Sequence, residues 1–162
     1  MRLQVALEDN FTNIAQMAME NQKGDMVILI DRGLMDGKAY VTNTQWQAVL
    51  DDMGVTTQQI RDNRYDAVIH MVTAADGAEK FYDKTNEARY ESVDEAKEKD
   101  ELIRQAYMGH QKWFLIKNKE CVDFKDKIQK TKEAVLETLG KSAGTHFHKK
   151  FLLKKIILQD QD

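Results

Sequence analysis

Three groups of polar residues could bind a ligand, because each follows a predicted strand or opens a predicted helix. Asp31 and Arg32 follow the first predicted strand, Thr73 ends the second, and Arg89 lies near the start of a charged helical segment. In open parallel sheets, ligands bind beyond the carboxyl ends of the strands. A carboxylate at Asp31 could hold Mg²⁺, and the guanidinium of Arg32 could bind a phosphate or a substrate hydroxyl.

Each group also has an interpretation without a ligand. Asp31 could cap the following helix while Arg32 is a solvated charge. Thr73 and the small residues after it let a backbone approach a ligand closely, but they equally suit an ordinary turn. Arg89 could cover a phosphate as a lid arginine, or it could belong to a solvated helix face that carries both charge signs. Position in a fold is weak support for function, so the residues alone leave these alternatives open.

The elements that would position these residues alternate between helices and strands. The predicted strands cover residues 26–30, 67–73 and 113–116, and continuous apolar runs of this kind suit a parallel sheet covered by helices on both faces. The predicted helices cover residues 3–20, 35–64, 86–108 and 124–139. Gly54 breaks the second of them, and Thr56 is a candidate N-cap after the break. This alternation predicts a doubly wound α/β domain.

The first predicted helix is amphipathic. Steps of four and then three residues place one set of apolar side chains on a single face: Leu3, Leu7, Phe11, Ile14 and Met17. The end of the chain has a different pattern, in which residues 146–158 combine lysines with apolar triplets. We expect this tail to be a strand that pairs with another chain rather than with the sheet of its own chain.

Composition excludes several classes of protein. A formal net charge of −3 over 162 residues gives no sign of binding to nucleic acid or acidic membranes. The single cysteine, Cys121, excludes a disulfide framework and a multi-cysteine zinc site. No apolar run is long enough to cross a bilayer, and the polar, amphipathic residues 1–22 predict no secretory leader. We therefore expect a reducing, cytoplasmic location.

The motif that binds phosphate in P-loop proteins does not occur in this sequence. That motif, G-x-x-x-x-G-K-[S/T], needs two glycines five residues apart with a lysine after the second. None of the eight glycines is arranged in this way. The absence predicts that the chain alone lacks the main source of phosphate binding.

Several segments resemble one protein family. Residues 27–33, read with Met35, Asp36, Ala39 and Tyr40, resemble the "DRG-x-x-D-x-x-AY" segment of the TRPL translocation defect protein family. Residues 61–82 are closer still, and the similarity continues from Asn86 through the Gly109-His110 pair. The resemblance covers most of residues 3–140.

The resemblance implies a P-loop domain of the nucleoside-kinase type, followed in the family by a CYTH-type domain. It implies GTP or ATP and Mg²⁺ as ligands, with Asp31 at the acidic position for Mg²⁺ or substrate and Arg89 as the lid arginine. Thr73 is a further candidate for a contact with the nucleotide, because it lies at the end of the second predicted strand. Family members are also associated with phosphoinositides and membrane-protein trafficking. The phosphate loop and its strand are expected before residue 1, and the tail lacks the acidic E-x-E-x-K strand that opens a CYTH domain.

The expected fold is therefore a partial doubly wound parallel sheet of the P-loop nucleoside-kinase type that lacks the first strand and the phosphate-binding loop. Residues 1–140 would form this domain, and residues 141–162 a linker and a possible first CYTH-like strand.

Two alternative functions are consistent with this fold. The chain is a non-catalytic subunit of a larger assembly, for example axonemal or organellar, with a protein partner covering the missing sheet edge and no cofactor for the isolated chain. Alternatively it is one piece of a split kinase-like enzyme whose phosphate loop lies on another chain, with Asp31, Arg32 and Arg89 as catalytic residues.

Overall fold

A computed structural model describes residues 1–21, 26–82, 92–141 and 152–154. The chain divides into two compact units, residues 1–34 with 146–162 (the first unit) and residues 35–145 (the second unit). The α-helices are α1 (Arg2–Asn21), α2 (Asn43–Met53), α3 (Thr57–Asp62), α4 (Val93–Tyr107) and α5 (Phe124–Thr138). The strands are β1 (Ile28–Ile30), β2 (Val68–Met71), β3 (Trp113–Ile116) and β4 (Leu152–Lys154). Short 3-10 helices span Leu34–Tyr40, Glu79–Phe81 and Asn118–Glu120.

The second unit is built around the parallel pair β2–β3. Val68 lies opposite Trp113 and Met71 opposite Ile116, and α4 lies between the two strands in sequence, as the connection of a parallel pair requires. Helix α5 packs against both strands. The buried apolar side chains of this unit come from every layer: Met35, Ala39, Trp46, Leu50, Ile60, Val72, Ala75, Ala96, Ile103, Ala106, Tyr107, Ile116 and Ala134.

Local capping explains where three of these helices begin. Thr56 is the N-cap of α3, as predicted, and its hydroxyl accepts a hydrogen bond from the backbone N–H of Gln59 at 3.2 Å. The Gln59 side chain bonds back to the backbone N–H of Thr56 at 2.8 Å, which completes a capping box. Thr42 and Ser92 cap α2 and α4 in the same way. Gly54 ends α2 at φ 65°, a left-handed conformation that glycine adopts without a Cβ penalty.

Tyr107 links the end of α4 to the 3-10 helix that starts at Leu34. Its phenol is buried and hydrogen-bonds with the carboxylate of Asp36 and with the backbone at Met35. Burial, reinforced by the Asp36 charge, raises the pKa of Tyr107 well above its ordinary value. The phenol is therefore neutral at physiological pH and holds the first segment of the second unit in place.

The first unit contains α1, β1 and β4. Helix α1 packs against β1, and the Gln4 side-chain amide donates to the backbone oxygen of Arg32 at 2.8 Å. Strand β4 pairs with β1 in parallel, with Ile28 opposite Leu152 and Ile30 opposite Lys154. The prediction that the tail strand would pair only with another chain is therefore wrong. The edge of β1 offers unpaired backbone groups, and the tail of the same chain satisfies some of them.

The predicted single sheet is only partly confirmed. The α/β class and the three predicted strands are present, but only β2 and β3 pair with each other in parallel, while β1 pairs with β4. The described strands thus form two separate two-stranded sheets. Apolar runs predict strands because the hydrophobic pattern is a local property of the sequence, whereas the choice of a neighbouring strand depends on long-range contacts.

The apolar face predicted for α1 divides in the structure. Phe11 is half-buried, whereas Leu3, Ile14 and Met17 are exposed. The buried residues of α1 lie on an adjacent face and include Glu8 and Ala15. Among the described helices, none is both long and apolar enough to cross a membrane.

Candidate functional site

A hydrogen-bonded polar cluster lies at the carboxyl ends of β2 and β3. Asn118, two residues after β3, is its centre. The Asn118 side-chain amide donates to the backbone oxygens of Thr73 and Asp76 at 2.7 Å each, and it lies 3.4 Å from that of Val72. One side chain thus fixes the whole turn that leaves β2. This is the end of a parallel sheet where α/β proteins bind ligands.

Lys127 joins α5 to the same cluster. Its amine donates to the backbone oxygen of Val72 and to Oδ1 of Asn118, both at 2.6 Å, and the residue is only 8% exposed. Burial lowers the pKa of the Lys127 amine, because the charged form loses hydration, while Cys121 and Asp100 act in the opposite direction. Short hydrogen bonds from a buried cation to two oxygens are the stabilising arrangement for such a group.

Asp100 joins α4 to the cluster. Its Oδ1 accepts a hydrogen bond from the backbone N–H of Thr73 at 3.0 Å, and its Oδ2 lies 3.2 Å from Nε2 of His70. His70 is buried in β2, so it is a hydrogen-bonded residue of the core. One carboxylate therefore ties a helix to both the last half of β2 and the turn after it.

A small cleft of about 260 Å³ opens beside this cluster. Three cationic side chains line it, and each has a carboxylate partner: Lys97 with Glu79 at 3.7 Å, Lys117 with Glu120 at 2.9 Å, and Arg104 with Glu101. The full lining is Val72, Asp76, Lys97, Asp100, Glu101, Arg104 and Lys117. Three cations and three carboxylates leave the cleft with no excess charge for an anion.

Thr73, the residue predicted to lie near a nucleotide, belongs to the polar cluster. Its N–H donates to Asp100, its carbonyl accepts from Asn118 and from the N–H of Asp76, and its hydroxyl lies 3.4 Å from the N–H of Ala75. Thr73 therefore uses its backbone groups within the protein. Its proposed contact with a nucleotide stays a prediction.

Asp31 and Arg32 lie in the first unit, directly after β1, and both are exposed. Arg32 has a φ of 72°, and it is the one non-glycine residue with positive φ among the described residues. A non-glycine residue in this left-handed region has backbone strain of the order of 1–3 kcal/mol, and residues with such strain cluster at functional sites. Arg89, the predicted lid arginine, lies outside the residues that the structure describes. Within the described part of the chain, no group of three or more potential metal ligands occurs.

Sequence reasoning from local patterns missed the residues that hold the cluster together. Asp100 and Lys127 lie on charged helices, where most such residues are solvated, and their spacing gives no sign of burial. Asn118 did carry a usable signal, because a polar amide just beyond a predicted parallel strand lies where such groups converge.

The parallel pair β2–β3, connected through α4 and with polar side chains gathered at its carboxyl end, defines a domain of the α/β class, in which ligands bind beyond the carboxyl ends of the strands. A family model described as AAA domain matches residues 3–124, three quarters of the chain. The chain therefore belongs to this family and contains a P-loop-NTPase-like domain. No curated protein and no solved structure shows significant similarity to the chain.

Proposed function

We propose that this chain is a non-catalytic subunit, which uses the shell of an AAA domain as a docking surface in a larger assembly. One observation carries the proposal. A nucleotide would be expected at the carboxyl ends of β2 and β3. There the Asn118 amide, the Lys127 amine and the Asp100 carboxylate instead form hydrogen bonds with the backbone of Val72 and Thr73. These groups stabilise the turn after β2 instead of projecting toward a ligand.

The chemistry of phosphate binding supports the same proposal. P-loop proteins hold the β-phosphate with several backbone N–H groups and a lysine of the loop. The 162 residues contain no such motif, and the cations beside the candidate cleft are paired with carboxylates. For the chain alone we therefore propose no cofactor. Mg²⁺ with GTP or ATP belongs to the proposal only if another chain completes the site.

The proposal extends to the family relationship, the partner and the location of the chain. Kinship with the TRPL translocation defect family, a CYTH-like tail and a phosphoinositide link rest on the resemblance alone. The proposed partner is a protein that covers an open edge of the sheet. The proposed location is the cytoplasm, with an axonemal or organellar assembly as the alternative.

One observation favours the split-enzyme alternative. Arg32 keeps a strained left-handed backbone immediately after Asp31, at the carboxyl end of β1. Strain of this kind persists where it serves binding or catalysis more often than elsewhere. In the alternative, Asp31 would hold Mg²⁺, Arg32 and Arg89 would contact phosphate oxygens, and a second chain would supply the phosphate loop.

Turnover by the native assembly separates the two functions. The tagged chain is used to purify its assembly from cells that carry the wild type, Asp31→Ala, Arg89→Ala or Lys97→Ala, the last being a matched control cation paired with Glu79. We expect any hydrolysis of GTP or ATP to change by less than about twofold in all three variants, because the proposed role involves no contact with phosphate. Composition of the assembly is checked by mass spectrometry.

The opposite outcome supports the alternative. A loss of turnover of about tenfold or more in Asp31→Ala and Arg89→Ala, with Lys97→Ala active and all assemblies intact, is the effect expected of residues that stabilise transferring phosphate. That outcome would replace the docking role with a split enzyme.

A further inference from the structure

We draw no further inference here: the strongest candidate, the exposed apolar face of α1 that contains Leu3, Ile14 and Met17, carries no proposal because nothing in the structure shows what covers it.

Discussion

Asn118→Ala is expected to lower the free energy of unfolding by about 3 kcal/mol, measured by urea denaturation at neutral pH. The substitution removes the donor to the Thr73 and Asp76 carbonyls and the acceptor for the buried Lys127 amine. A buried cation that loses one of two oxygen partners is the main source of the loss. Three elements, β2, β3 and α5, lose their shared contact at once.

Two comparisons isolate this effect. Lys119→Ala, at an adjacent side chain that is 74% exposed, is expected to change the free energy of unfolding by less than about 0.5 kcal/mol. The double variant Asn118→Leu with Lys127→Met removes the buried charge together with its partner, and we expect it to be more stable than Asn118→Ala. A loss below about 1 kcal/mol for Asn118→Ala would show that the cluster does not hold the sheet ends together.

Asp100→Ala is expected to lower the free energy of unfolding by about 2 kcal/mol. It leaves the backbone N–H of Thr73 and the imidazole of His70 without the carboxylate that joins them to α4. Because His70 is buried, water does not readily reach its imidazole to replace the hydrogen bond with Asp100, and an unsatisfied buried polar group costs free energy. The effect is smaller than that of Asn118→Ala because the buried Lys127 amine keeps both of its hydrogen-bond acceptors.

Asp100→Asn keeps one oxygen acceptor and should lose less stability than Asp100→Ala. Glu98→Ala, at an exposed position on the same helix, controls for the change in helix propensity and charge. If Glu98→Ala and Asp100→Ala destabilise the chain equally, the contacts of Asp100 with Thr73 and His70 contribute nothing measurable.

Local features of the fold could be predicted from the sequence because local interactions determine them. Residues 113–116 were predicted as a strand and form β3. Helix α1 is one residue longer than predicted at each end, and α5 is one residue shorter at its carboxyl end. The Thr56 cap was predictable, since a threonine three residues before a glutamine closes a capping box within one turn. Gly54 and Gly140 adopt the positive φ typical of helix ends.

Strand partners and the polar cluster could not be predicted in this way. The order of strands in a sheet depends on contacts between distant residues, so the pairing of β1 with β4 left no local trace. The contact between Lys127 and Val72 joins residues 55 positions apart, and a lysine on a charged helix is usually solvated. The left-handed conformation of Arg32 could not be predicted either, because arginine, unlike glycine or asparagine, is not a residue type that favours positive φ.

Calorimetric titration of the purified chain with Mg-GTP and Mg-ATP tests the central claim most directly. If the polar groups at the strand ends serve the fold and the chain lacks a phosphate loop, no saturable heat of binding appears up to about 1 mM nucleotide. Saturable binding with a dissociation constant in the micromolar range would contradict the account, because the chain would then bind phosphate without the motif that P-loop domains use.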